Sequence, residues 1–101
     1  MNINVKVENT KLAASIEGRV DTVTAPQIEA EVVSKLDGIN ELELDLGNMS
    51  YISSAGLRVL LACQKKMNAV GGKMLVRNPN EMVMEIFEVT GFADIFTIEY
   101  D

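Results

Sequence analysis

The sequence of 101 residues predicts an α/β fold, a mixed and mostly parallel sheet with helices covering mainly one of its faces. Two segments that alternate apolar and polar residues open the chain as a β-hairpin would, and three strand segments then alternate with helical ones. Such alternation implies right-handed crossovers between parallel strands. The first strand after the hairpin has a leucine face and an acidic face, so helices are expected on one side only. The length is that of one domain, and we expect residues 1–101 to form a single domain.

The predicted hairpin spans residues 2–18, where apolar side chains recur at every second position. A helix is predicted to follow it. Thr24 and Gln27 have the spacing of a capping box, Pro26 fits the first turn, and Gly38 is a suitable end.

The next strand is predicted at residues 42–46, where leucines alternate with acidic residues. The serine pair at residues 53–54 is predicted to begin a second helix, and the glycine pair at residues 71–72 to end it. A short strand is predicted directly afterwards, at residues 73–77.

The third helix is predicted to begin with Asn78 as N-cap and Pro79 in the first helical position. Helical spacing predicts one apolar stripe along this helix. That predicted stripe consists of Met82, Ile86 and Val89. A last short strand is predicted at residues 96–98.

Composition excludes several classes of function. The chain has no histidine, which removes histidine-based catalysis, zinc sites with histidine ligands and a histidine pH switch. Its one cysteine, Cys63, allows no intramolecular disulfide, so a reducing, cytoplasmic setting is expected. The net charge of −6 argues against binding to nucleic acid or to an anionic membrane. The sequence shows neither a signal peptide nor a membrane-inserting segment.

The remaining residues fit no enzyme template. The sequence lacks the glycine-rich loops that bind nucleotide phosphates. Cys63 falls in the middle of a predicted helix among apolar neighbours, so packing is the simpler interpretation of it. The acidic row at residues 41–45 is interpreted as the solvated face of a strand. We therefore predict a protein that is not an enzyme and that binds no metal and no cofactor.

Ser53 and Ser54 lie at the predicted start of a helix, and only one of them can be its N-cap. The hydroxyl of the other is then free, and Ala55 and Gly56 keep the surrounding surface low. A phosphate there would be stabilised by the free N–H groups at the helix N-terminus. The residues alone leave two interpretations open, an ordinary helix cap and a regulatory phosphoserine.

The stretch from Leu44 to Leu61, taken with the order of elements, resembles the STAS domain, the fold of bacterial anti-sigma factor antagonists. The family pattern runs from an apolar strand through Asp-Leu-Ser and a short apolar stretch to Asp-Ser-Ser-Gly-Leu-Gly at a helix start. Residues 46–52 and 53–58 match it here. Further stretches that resemble the family lie at residues 16–21, 71–74 and 87–92. The resemblance therefore covers nearly the whole chain.

The resemblance implies that Ser54 is the serine that a partner kinase phosphorylates. Ser53 is a rival acceptor, because it stands where the family has an aspartate. Ala55 replaces the common second serine, and Arg58 replaces a glycine, which places a cation close enough to pair with a phosphate. The chain also ends just after its last predicted strand, where many relatives carry one more helix.

The function that the resemblance implies is a binding switch. The unphosphorylated domain would dock on an anti-sigma factor with serine-kinase activity and release a sigma factor. Phosphorylation of Ser54 would add about −1.5 to −2 charges to the docking surface and break the complex, and a serine phosphatase would reset it. An alternative is a stand-alone STAS subunit of a membrane transporter complex, bound to its cytosolic ATPase, which the altered acceptor loop supports. An enzyme or ligand carrier that uses the acidic strand face is disfavoured, because histidine and a phosphate loop are both absent.

The docking surface is predicted to centre on Ser54. Residues 18–24 and 49–53 are both predicted as loops after strands, and such loops gather at one rim of a parallel sheet. Met49 and Tyr51 are predicted to be exposed apolar groups of the kind that interfaces enrich. The predicted contact residues around Ser54 are Asp21, Thr22, Thr24, Met49, Tyr51, Ile52, Ser53, Gly56 and Arg58.

Overall fold

In a computed structural model that describes all 101 residues, six strands form one sheet with three helices packed against it. The strands are β1 (Asn2–Glu8), β2 (Lys11–Val20), β3 (Glu41–Asp45), β4 (Met49–Ile52), β5 (Lys73–Arg77) and β6 (Thr97–Glu99). The helices are α1 (Ala25–Glu31), α2 (Ser54–Ala69) and α3 (Glu81–Thr90), with 3₁₀ turns at Val33–Lys35 and Phe92–Asp94. None of the helices is both long enough and apolar enough to cross a membrane.

The strand order is β1-β2-β3-β5-β6, and β4 pairs with β2 outside this row. The β1–β2 pair is antiparallel and every other pair is parallel, so the predicted mixed, mostly parallel sheet is confirmed. The two leucines of β3 are fully buried, whereas the acidic residues that alternate with them are half-buried on the opposite face. Helix α1 is shorter than predicted, because it ends at Glu31 and a 3₁₀ turn follows before Gly38.

Basic residues of the neighbouring strands flank the acidic row of β3 on the face that no helix covers. Lys11 Nζ lies 2.9 Å from Glu43 Oε2, and Arg77 Nε lies 3.2 Å from Glu43 Oε1. Lys73 Nζ lies 3.6 Å from Glu41 Oε1. The acidic row is therefore part of a charge-paired outer surface.

Strand β4 corrects the prediction of a loop at residues 49–53. It pairs in parallel with the end of β2, across an irregularity between Gly18 and Arg19. Four residues are too few to show a period of two, and the partner strand lies about 30 positions earlier in the chain, so only the folded structure reveals this pairing.

The start of α3 differs from the prediction, and the residues it buries are not those of the predicted apolar stripe. Asn80, not Asn78, is the N-cap, and Asn78 has a φ of 59°, which is not the extended backbone of a cap residue. The core-facing residues are Val83 and Phe87, and Phe87 packs edge to face on Phe96 with 5.4 Å between ring centroids. The predicted stripe is mostly exposed: Met82 and Val89 face solvent, and Ile86 is half-buried against the core.

Candidate functional site

Ser53 and Ser54 occupy different positions at the start of α2. Ser53 is the N-cap, with an extended backbone and an Oγ that accepts a hydrogen bond from the Gly56 N–H at 3.5 Å. The Ser53 N–H donates to the Val20 carbonyl at 2.9 Å, which fastens the helix start to the end of β2. Ser54 is the first helical residue, and its side chain is exposed. One serine caps the helix, as predicted, and the other presents its hydroxyl to solvent.

A hydrogen-bond network around Asp21 orders the loop between β2 and α1. Asp21 Oδ1 accepts from the N–H groups of Val23 at 2.9 Å and Thr24 at 3.1 Å. Thr24 Oγ1 accepts from the Asp21 N–H at 2.8 Å and donates to the Arg19 carbonyl at 2.9 Å. The hydrogen bond from the Thr24 N–H, with smaller contributions from Val23 and Arg19, holds the pKa of Asp21 below its usual range. The predicted capping box of Thr24 and Gln27 is wrong, because the threonine hydroxyl is used within the loop and caps no helical N–H.

Arg19 links this loop to β4. Its guanidinium carbon lies 4.3 Å from the centre of the Tyr51 ring, and its Nε lies 3.3 Å from Asp21 Oδ2. Arg19 and Tyr51 are partners across β2 and β4, so their side chains meet on one face. Sequence reasoning missed Arg19. Its spacing from Asp21 is visible in the sequence, but its neighbour Tyr51 becomes apparent only from the pairing of the two strands.

A groove of about 580 Å³ runs between α1 and α2, next to the serines. Thr22 from the β2–α1 loop and Arg58 from α2 both line it, so these two predicted contact residues share one groove. Arg58 is exposed and takes part in none of the ion pairs of the chain. The remaining lining residues are Ala25, Pro26, Glu29, Ala30, Ala55 and Val59. The groove therefore has a floor of small and apolar groups with an acid and a free guanidinium at its sides.

Three of the predicted contact residues are buried, and their prediction as contacts is corrected. Met49 is 0% exposed and Ile52 is 1% exposed, because β4 joins the sheet and both side chains pack in its core. Gly56 is also buried, and a Cβ there would lie 2.7 Å from both Ile52 Cγ1 and Val20 Cγ1. These residues shape the surface from beneath. The predicted contact residues that reach the surface at least in part are Asp21, Thr22, Thr24, Tyr51, Ser53 and Arg58.

The one thiol of the chain is buried, and its acidic residues form no metal-binding cluster. Burial raises the pKa of the Cys63 thiol to about 12, so this thiol stays protonated at neutral pH. No three cysteine, aspartate or glutamate side chains cluster closely enough to hold a metal ion. What the surface offers is an ordered loop, an exposed hydroxyl, a stacked arginine–tyrosine pair and a shallow groove, and these are features for binding.

Known proteins resemble this chain along nearly its full length. The STAS domain family model matches residues 2–101. BtrV of Bordetella bronchiseptica, which is named among the anti-sigma factor antagonists, is 41% identical over 88 residues, covering 86% of this chain and 76% of BtrV. The anti-sigma-B factor antagonist of Bacillus subtilis is 31% identical over 100 residues, covering 97% of this chain and 92% of the relative.

Solved structures show the same fold at lower sequence identity. The anti-sigma factor antagonist SpoIIAA in its unphosphorylated form has a TM-score of 0.86 and 17% identity, covering 99% of this chain and 88% of that chain. The Bacillus cell fate determinant SpoIIAA in its phosphorylated form has a TM-score of 0.79 and 16% identity, covering 99% and 91%.

Proposed function

This chain belongs to the STAS domain family of anti-sigma factor antagonists, and on that premise we propose that it is a phosphorylation-controlled binding module. In its unphosphorylated form it docks on an anti-sigma factor and thereby releases a sigma factor. The names of its relatives favour this function over that of a transporter subunit, whose only support is the altered acceptor loop. Sigma factors act in the cytoplasm, so we place the interaction there.

The observation that carries the proposal is the exposed hydroxyl of Ser54 at the N-terminus of α2. Ser53 already serves as the cap, so modification of Ser54 removes no hydrogen bond from the fold. A phosphate at this position is stabilised by the positive end of the helix dipole. Phosphorylation is therefore expected to leave the fold intact and to act on the surface, which a reversible switch requires.

Phosphorylation of Ser54 changes the surface charge in two ways. It adds about −1.5 to −2 charges beside the groove. A partner that fits the neutral form must then strip water from the phosphate or meet it with charge of the same sign, and both weaken docking. Arg58 lies four residues after Ser54, on the same side of the helix, so its free guanidinium can pair with the new phosphate. The partner then meets added negative charge and loses access to the free cation. Both changes weaken docking.

The partner that the relatives imply is an anti-sigma factor. We further propose that this factor carries serine-kinase activity and transfers the terminal phosphoryl group of ATP to the Ser54 oxygen. A serine phosphatase then returns the chain to its binding form. SpoIIAA, which shares the fold, has been solved in unphosphorylated and phosphorylated forms, which supports a switch of this kind.

The test combines acceptor mapping with binding measurements. The chain is incubated with its cognate anti-sigma factor and ATP, and the phosphopeptide is identified by mass spectrometry. Ser54→Ala is expected to fold, to accept no label and to bind constitutively. Ser54→Asp is expected to fold and to bind at least tenfold more weakly. Ser50→Ala, which alters an exposed serine of β4, is the matched control and is expected to behave as wild type.

Two results would change the conclusion. A label on Ser53 would move the acceptor by one residue and show that the capping hydroxyl is the modified one. Absence of label on both serines, together with wild-type binding by Ser54→Asp, would discard the switch. Arg58→Ala and Tyr51→Ala test the surface itself, since unchanged binding by both variants would place the interface elsewhere.

A further inference from the structure

Helix α3 carries an apolar stripe that the fold leaves largely exposed, since only its middle residue, Ile86, packs against the core. Met82 is 54% exposed and Val89 is 81% exposed, and with the half-buried Ile86 they follow the i, i+4, i+7 spacing of one helical face. A groove of about 220 Å³ follows this stripe and is also lined by Glu85 and Thr90. Large apolar side chains that are contiguous and exposed on a small domain mark an interaction surface.

Charge is distributed unevenly along the chain, and the stripe lies in its acidic part. Residues 1–77 contain nine acidic and nine basic residues, whereas residues 78–101 contain six acidic residues and no lysine or arginine. The whole net charge of −6 therefore arises in the last quarter of the chain. Three of these acids, Glu81, Glu85 and Glu88, are exposed on α3 itself.

We propose that this face of α3 is a second docking surface and that its occupant is a basic amphipathic helix of a partner protein. The helical spacing of the stripe fits the apolar stripe of another helix packed along it. The glutamates beside the stripe favour lysine or arginine at the edges of the occupant, and they disfavour acidic competitors. The apolar groove and the glutamates beside it therefore both fit one occupant, a helix with an apolar stripe and basic residues at its edges.

The charge of the surface argues against the other occupants. A second copy of this chain, docked by a two-fold axis, would bring the glutamates of α3 against the same glutamates of its partner. Nucleic acid and anionic membranes would be repelled in the same way. The stripe shares no residue with the surface around Ser54, so phosphorylation there is expected to leave this second surface unchanged.

The test uses a synthetic probe and the full chain. An amphipathic peptide of about 18 residues, with leucines on one face and lysines on the other, is titrated into isotope-labelled protein and followed by NMR. We expect the largest chemical-shift changes in α3. A peptide of equal charge with its leucines replaced by serine is expected to bind at least tenfold more weakly. Equal binding of the two peptides would reduce the contact to non-specific charge attraction and overturn the proposal.

Variants locate the contact. Met82→Ser and Val89→Ser change exposed side chains, so both are expected to fold and to weaken binding of the leucine–lysine peptide at least tenfold in combination. Val70→Ser, which alters the 60% exposed C-cap residue directly after α2, is the matched control and is expected to bind as wild type. Glu85→Gln with Glu88→Gln is expected to weaken binding and reduce its salt dependence.

Three further outcomes would overturn the proposal. The combined serine variant could bind like wild type, or the largest shifts could fall on the surface around Ser54. Sedimentation could instead show a dimer of the free chain that Val89→Ser abolishes, in which case the occupant is a second copy. Ser54→Asp is included throughout, and its binding to the peptide is expected to equal that of wild type. None of these readouts depends on an anti-sigma factor, so they stand apart from the test of the switch.

Discussion

Replacement of Gly56 by alanine is expected to destabilise the chain, although alanine is the better helix former. A Cβ at this position would lie 2.7 Å from Ile52 Cγ1 and 2.7 Å from Val20 Cγ1. Packed carbon atoms are most stable at about 3.5–4.0 Å, so both contacts are overlaps. Ile52 and Val20 are themselves fully buried, and a close-packed core leaves them little room to move away.

Opposing terms set the magnitude of this effect. Alanine gains at most about 1 kcal/mol over glycine in a helix interior. An additional methyl group in a packed core costs about 1–3 kcal/mol, and two overlaps place the cost near the upper end. We expect the free energy of unfolding to fall by about 1–2 kcal/mol, which lowers Tm by roughly 4–16 °C in a domain of this size.

Thermal and urea denaturation followed by circular dichroism measure the effect. Val20→Ala removes one of the two overlapping atoms, so the double variant Val20→Ala/Gly56→Ala is expected to lose less stability than the two single variants added together. A Gly56→Ala variant with a Tm equal to or above that of wild type would refute the close approach of α2 to β2 and β4. Strict additivity in the double variant would refute Val20 as the obstacle.

Two further predictions concern Cys63 and Asn80. Cys63 is expected to react with thiol reagents at pH 8 only after denaturation, and the free energy of unfolding is expected to fall as pH rises above about 9, because the unfolded thiol ionises while burial holds the folded pKa at about 12. Rapid labelling of the native chain, or flat urea midpoints from pH 8 to 10, would contradict this. Asn80 Oδ1 accepts from the Val83 N–H at 2.8 Å, and Asn80 Nδ2 donates to the Met49 carbonyl at 2.8 Å. Asn80→Asp keeps the accepting oxygen but loses the donor, so it is expected to keep the helix cap and to speed amide hydrogen exchange in β4 alone. Asn80→Ala is the comparison variant and is expected to speed exchange both at the start of α3 and in β4. Unchanged exchange in β4 of Asn80→Asp would refute a stabilising role of the Asn80–Met49 hydrogen bond.

The features that are readable from the sequence are those with long or local signals. The hairpin and β3 have several residues of strict alternation, and the start of α2 has a serine in the cap position. These predictions are confirmed by the strands and by the hydrogen bond of Ser53 to the Gly56 N–H. A period or a cap needs only neighbours along the chain, so one sequence is enough to detect it.

The features that the sequence does not reveal depend on distant contacts. In α3 two sets of apolar residues have helical spacing, Val83 with Phe87 and the stripe that begins at Met82. Which set becomes buried depends on packing against the sheet and on the contact of Phe87 with Phe96. The burial of Met49 likewise depends on the pairing of β4 with β2. The predicted contact residues surround the start of α2, but the pairing of β4 with β2 is needed to tell the buried ones from the exposed ones.

Charge pairs on the uncovered face of the sheet distinguish strand registers of β5 against β3 that bury the same apolar side chains. A one-residue slip of β5 against β3 would turn Met74 and Val76 out of the core, whereas a two-residue slip would keep them inside. In the native register Lys73 lies opposite Glu41 and Arg77 opposite Asp45. A two-residue slip in either direction leaves one of these two bases opposite no acid. Ion pairs near the surface contribute little to native stability, about 0–1 kcal/mol each, so we expect this face to matter more for which strand register forms than for how stable that register is.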